Sequence, residues 1–218
     1  MNPVPTILLT EDELVCSDLP TFTKTINAGL IDETQKTNYT YTWTLDGSLI
    51  IGENQYDLTV NKKGIYKVET TNSVGCSWTR TITVNASDKA TVQVDIVDLS
   101  VENSITVLTT GSGDYVFSLD NEFGDYQNNN IFENVPSGIH TVYVKDLNGC
   151  GIIPKEAAIL RIPKFFTPNQ DGSNDTWNLK GVNSVFNAKI TIQIFDRYGK
   201  LLKEIRPMNE GWDGAYIG

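Results

Sequence analysis

Of the chain's 218 residues only three are cysteine, two methionine and one histidine. Cys16, Cys76 and Cys150 stand far apart with no C-x-x-C pair among them, which excludes thiolate metal clusters. His140 is the sole imidazole, so any Ser-His-Asp or Cys-His arrangement would have to use it, and nothing beside it marks a nucleophile elbow. The H-E-x-x-H, Walker and strand-borne G-x-G-x-x-G patterns are missing, and GSGDY at 111–115 leads into no helix. Enzyme activity is therefore not expected, and no catalytic residue is assigned. No apolar run approaches the roughly 20 residues needed to span a bilayer, so membrane insertion is not expected either. The opening MNPVPTILLTEDELVC lacks a positive n-region and does not read as a signal peptide; for an exported protein, the signal is expected further upstream. Basic residues are few: 17 Lys and Arg stand against 27 Asp and Glu, giving a net charge of −10 and a pI near 4.5. That balance excludes nucleic acid and anionic membranes as partners. It fits solubility outside a cell, or a surface that collects divalent cations.

What is present is a repeat. GIYKVETTNSVGC at 64–76 returns as GIHTVYVKDLNGC at 138–150, and YTWTLDG at 41–47 returns as YVFSLDN at 115–121, both at an offset of 74 residues. Two matches at one offset indicate two copies of one unit. Each copy consists of short β-branched or aromatic runs separated by Asn, Gly, Asp or Lys turns: TFTKTI, TYTWTL, YDLTV, IYKVETT and TRTITV, then TVQVDIV, SITVLTT, YVFSLD, HTVYVKD and EAAILRI. No run keeps a helical period, so the fold class is all-β, with sandwiches in tandem. With 39% hydrophobic and 10% aromatic residues the chain can bury real cores. The expected domains are 1–87, 88–162 and 163–218.

Trp43 and Phe117 occupy equivalent positions and are expected in the cores. His140, equivalent to Tyr66, is expected to face solvent, and the acidic run Glu11-Asp12-Glu13 reads as a solvated loop. Among the cysteines the expected disulfide joins Cys16 to Cys76, closing a loop of about 60 residues worth on the order of 4 kcal/mol. Ala90 stands at the second copy's equivalent of Cys16, so Cys150 is expected as a free, buried or half-buried thiol.

From Pro163 the pattern changes. FFTPNQDGSNDTWNLKG at 165–181 packs oxygen-bearing side chains between aromatics, and TWNL, KITIQIF and LLKEI read as strands. Gly199 is the turn residue between the last two. Asn169, Asp171, Asn174 and Asp175 place hard oxygens within seven residues. An EF-hand is rejected, because Thr167 and Asn178 stand where further ligands would be needed. The preferred reading is a double Asx-turn whose side chains cap backbone N–H groups; a surface calcium site on the same four residues is the other.

Three motifs, FFTPNQDGSNDTWNLKG, IFDRYGKLL and GWDGAYIG, resemble the gliding-motility-associated C-terminal domain, the type B targeting domain of type IX secretion substrates in Bacteroidota. The resemblance implies a small β-sandwich recognised by outer-membrane type IX secretion components, on a secreted or cell-surface protein exported across the outer membrane. It assigns the secretion-signal motif to Phe166, Pro168, Asn169, Asp171, Gly172, Asn174, Asp175, Trp177, Arg197, Gly199, Trp212, Asp213 and Gly214. Members of that family continue past the W-D-G motif, so a C-terminal domain cut short at Gly218 is expected. Residues 6–160, through the strand–LDG hairpin and the G-x-Y-x-V…GC ending, resemble immunoglobulin-like and adhesin-repeat modules of bacterial surface proteins. That resemblance implies either a non-catalytic stalk or adhesin modules that bind surface polysaccharide, with loops 27–38 and 120–131 as the contact.

Overall fold

The structure is a computed structural model that describes residues 6–100, 102–183, 190–209 and 211–215. It divides into two compact units: residues 1–90 with 110–115 and 145–152, and residues 91–109, 116–144 and 153–218.

The first unit is a sandwich of seven strands: β1 (Thr10–Cys16), β2 (Lys24–Asn27), β3 (Tyr39–Leu45), β4 (Ser48–Leu49), β5 (Asp57–Val60), β6 (Gly64–Asn72) and β7 (Ser77–Ser87). One sheet has the order β1-β7-β6-β3-β4 and the other pairs β2 with β5. Alternation makes the core: Tyr41 and Trp43 on β3, Tyr66 and Val68 on β6, and Ile82 and Val84 on β7 point inward from one sheet, facing Ile26, Leu58 and Val60 of the other. Two further features are immunoglobulin-like. Trp43 is wholly buried, and its indole N–H donates to the Gln55 carbonyl at 2.8 Å. The Tyr66 hydroxyl donates back to the Lys62 carbonyl at 3.0 Å, a tyrosine corner. Val68, two residues on, stands where antibody domains carry a cysteine, so no disulfide starts from this position of β6.

The acidic run is not a loop. Glu11, Asp12 and Glu13 lie in β1, which pairs in parallel with β7 from Thr10↔Thr81 to Cys16↔Ser87. Glu11 accepts a hydrogen bond from the guanidinium of Arg80, which is 2% exposed and also donates to the Asn27 carbonyl and side chain. A buried guanidinium needs such partners, and this one draws the acidic strand onto the sheet. Gly29 leaves room for it, since a Cβ there would lie 2.4 Å from Arg80 Nη1. Loop 27–38 ends in a short 3-10 helix, Glu33–Asn38, capped by the Asp32 side chain.

The disulfide is also different from the expected one. Cys16 bonds to Cys150, with Cα atoms 5.4 Å apart, and Cys76 is a free, exposed thiol. The Cys16–Cys76 pairing is thus overturned, as is the free Cys150. The physical reason is where β1 ends: its last residue is buried in the same unit as segment 145–152, whereas Cys76 sits in an exposed turn. In the same unit the Tyr115 hydroxyl donates to Asp88 Oδ1 at 2.6 Å. Burial first, then this carboxylate, push the phenol up to about 12.

The second unit holds β8 (Thr91–Val97), β9 (Ser104–Thr110) and β11 (Ile131–Glu133), forming a sheet of order β11-β9-β8. It also holds most of β10 (Tyr115–Leu119), β12 (Gly138–Asp146) and β13 (Ile152–Ile159), in the order β10-β12-β13. Ile105, Val107, Phe117, Val142, Val144 and Ile159 are buried. His140 corrects the expectation of a solvent-facing ring: it is 9% exposed and takes the part of the tyrosine corner. Its Nε2 contacts the Pro136 carbonyl at 2.8 Å, four residues back as for Tyr66, and its Nδ1 meets Asp120 Oδ2 at 2.6 Å. Both partners are oxygen atoms, a carbonyl and a carboxylate. The unit closes with a hairpin, β14 (Ile192–Phe195) and β15 (Leu201–Ile205), bulged between Ile194 and Phe195. The start of the expected KITIQIF strand at 189 and the closing residues 216–218 lie outside the described residues.

Candidate recognition site in the C-terminal segment

The expected double Asx-turn is present at 167–175. Thr167 and Asn174 close it through a backbone hydrogen bond of 2.7 Å. Inside, the Asp175 carboxylate accepts the N–H groups of Gln170 and Gly172 at 2.6 and 2.7 Å. Asp171 accepts the Ser173 N–H at 2.8 Å and an Asn169 amide hydrogen at 2.8 Å. Gln170, Gly172 and Asn174 all have φ between 55° and 87°, the left-handed region that Asn and Gly enter most readily. The carboxylate oxygens are therefore occupied by donors of their own turn, three backbone N–H groups and the Asn169 amide. Among the described residues no group of three or more His, Cys, Asp or Glu is placed to hold a metal ion.

The Asn169 amide first, then the Ser173 N–H, hold the Asp171 carboxyl below its ordinary value. A carboxyl depressed in the folded state stabilises the turn above the ordinary aspartate value, about 3.9, and the contribution vanishes as pH falls through the lower folded value. The Ser173 amide resonance is expected to titrate with a midpoint below that of an unstructured aspartate; a midpoint at or above it would count against the turn.

The three motifs, far apart in sequence, converge here. Trp177 and Trp212 exchange backbone hydrogen bonds of 2.7 and 2.8 Å. Phe166 packs on Trp212 with ring centroids 5.7 Å apart. The Trp177 indole N–H donates to the Pro163 carbonyl at 2.9 Å, and that of Trp212 to the Ala215 carbonyl at 3.0 Å. Gly211 is required by this approach: a Cβ would lie 2.5 Å from the Trp177 carbonyl oxygen. Gly214, at φ 83°, closes the W-D-G turn beside Phe166 and Pro168, with Asp213 accepting the Ala215 N–H. Phe165, Phe166, Trp177 and Trp212 then line an open groove of about 550 Å³ with Ile192 and Ile194. Arg197 and Gly199 lie apart from it in the β14–β15 turn, where Arg197 stacks over Tyr198 at 4.8 Å. Phe165, Tyr198 and Phe195 are 72%, 79% and 52% exposed, an unusual aromatic display for so small a segment.

Sequence reasoning missed three of the positions that shape the site. Asp196 organises the hairpin turn by accepting the Tyr198 and Lys200 N–H groups. Asn178 spans to the carbonyls of Pro207 and Asn209, and TWNL forms an isolated bridge in place of a strand. Phe165 was legible only as half of an aromatic pair. In loop 120–131 Phe123 is 90% exposed, but Asn129 and Asn130 are engaged within the fold, accepting from Ile131 N and donating to the Val107 carbonyl of β9.

These observations define an all-β chain with an immunoglobulin-like sandwich and a C-terminal segment built around an aromatic groove. Residues 160–218 match the family described as the CHU_C type IX secretion signal domain. That signal implies export across the outer membrane to the cell surface or extracellular space. No helix among the described residues is long and apolar enough to cross a membrane. No curated protein matches the chain. Solved structures similar to it include a titin I-band fragment, I67–I69, at 11% identity, TM-score 0.44, covering 73% of this chain and 66% of that one. A DIP-gamma IG1+IG2 structure has 8% identity and TM-score 0.42, covering 73% and 98%. The N-terminal four Ig domains of Dscam1 have 13% identity and TM-score 0.35, covering 69% of this chain and 43% of that one. The immunoglobulin-like assignment rests on the strand order, Trp43 and the Tyr66 corner.

Proposed function

We propose that the chain is the non-catalytic C-terminal region of a secreted or cell-surface protein, in which modules 1–87 and 88–162 form a stalk and 163–218 is the export and attachment signal. The family match over residues 160–218 carries this reading. The convergence of Phe166, Trp177 and Trp212 supports a more specific form: the type IX components grip a folded shape, with the aromatic groove as the contact. A reporter fused ahead of the native protein from residue 160 to its own C-terminus and given a signal peptide should reach the surface or medium of a type IX-competent strain. Trp212→Ala should lower export more than it lowers cellular abundance. Retention of the unmutated fusion inside the cell would overturn the reading.

A second reading, polysaccharide-binding adhesin modules, draws support from the bare Phe123 ring at the tip of loop 120–131. Glycan-array binding that is lost in Phe123→Ala would favour it.

A further inference from the structure

Cys76 and Cys150 are held in the same way. The turn before each places a glycine at φ 85° (Gly75) or 88° (Gly149). That glycine's N–H returns to the carbonyl of Asn72 or Asp146 at 3.0 or 3.2 Å. The side chain of the same residue, Asn72 or Asp146, accepts the cysteine's own N–H at 2.9 or 3.0 Å. One of these two equivalent thiols is bonded and buried, and the other is free and exposed.

The partner of the bonded one shows the rule. Cys150 of the second copy does not bond within its own copy; it takes Cys16, which ends the first strand of the copy before it. Ala90 fills the Cys16 position of the second copy, which therefore offers no thiol onward, and its C-terminal neighbour is the 163–218 segment in place of another repeat. Each thiol of the bonded pair thus has a neighbouring copy to serve. Cys76, the receiving thiol of the first copy, is left over.

We propose that Cys76 is the receiving end of a second staple of the same kind, which takes the Cys16-position cysteine of a further copy of this sandwich preceding it on the same polypeptide. The spacing agrees. Cys16 precedes Cys76 by 60 residues, and one more 74-residue repeat restores the 134-residue separation of the bonded pair. Two S–H bonds break and one S–S bond forms. The S–S bond of an envelope thiol oxidoreductase breaks in exchange, and the two electrons and two protons leave on it as a dithiol.

The test lengthens the full chain by one repeat. Residues 1–87 are followed directly by 14–218, which keeps the 74-residue pitch, and in a second version by 10–218, which keeps the whole of β1. Both are refolded in a glutathione redox buffer, alkylated, and mapped by mass spectrometry without reduction. The expected result is a peptide joining Cys16 of the first copy to Cys76 of the second, with Cys76 of the first copy as the alkylated thiol. Alkylation of the second copy's Cys76 in both versions, or its recovery in Cys76–Cys76 dimers, would overturn the proposal.

Discussion

Cys16→Ser and Cys150→Ser are each expected to destabilise the first compact unit by about 3–5 kcal/mol, and Cys76→Ser by less than about 0.5 kcal/mol. The bond spans 134 residues, so breaking it returns to the unfolded chain nearly all the entropy a cross-link can withhold. The double variant Cys16→Ser/Cys150→Ser should cost no more than either single one, because both remove the same bond. Urea titrations of the four variants, with and without reductant, measure this directly. Reductant should erase the difference between the unmutated chain and Cys16→Ser. Strong destabilisation by Cys76→Ser, matching that of Cys16→Ser, would restore the pairing the sequence first pointed to and discard the one in the structure.

Trp43→Ala is expected to cost about 3–5 kcal/mol. The ring is wholly buried on β3, among residues of both sheets, and its removal opens a cavity that the two facing layers cannot close. It also deprives the Gln55 carbonyl of its donor. Trp43→Phe should cost clearly less, since Phe117 fills the equivalent place in the second copy and is buried there. Denaturant midpoints followed by the fluorescence of the other tryptophans give the comparison. A loss below about 1 kcal/mol for Trp43→Ala would mean that the core does not depend on this ring.

Much of the architecture was legible because β-branched alternation is a strong signal. TVQVDIV, SITVLTT and LLKEI became β8, β9 and β15 with the bounds their patterns suggested. β1 was not legible, because TEDELVC carries three carboxylates. What makes it a strand is non-local: a parallel partner in β7 and the buried Arg80, 69 residues away, which needs Glu11. The disulfide could not be read either, since three cysteines leave the choice of pair open and Cys76 and Cys150 have equal claims by repeat position. For His140 the signal was present. Its repeat partner Tyr66 follows the inward alternation of β6, and the same phase buries the imidazole. In the C-terminal segment the turn chemistry was local and came through. The meeting of Phe166, Trp177 and Trp212 depended on long-range pairing that composition does not encode.

The Cys16–Cys150 bond also determines how the chain would bear tension. A pull applied at the two ends passes from Cys16 straight to Cys150 through sulfur, so the intervening polypeptide, about 450 Å if drawn out straight, stays slack. A protein tethered to a cell in flowing water could then be tugged hard with β2 to β12 kept out of the line of load, until a reductant cut the shortcut and released that hidden length.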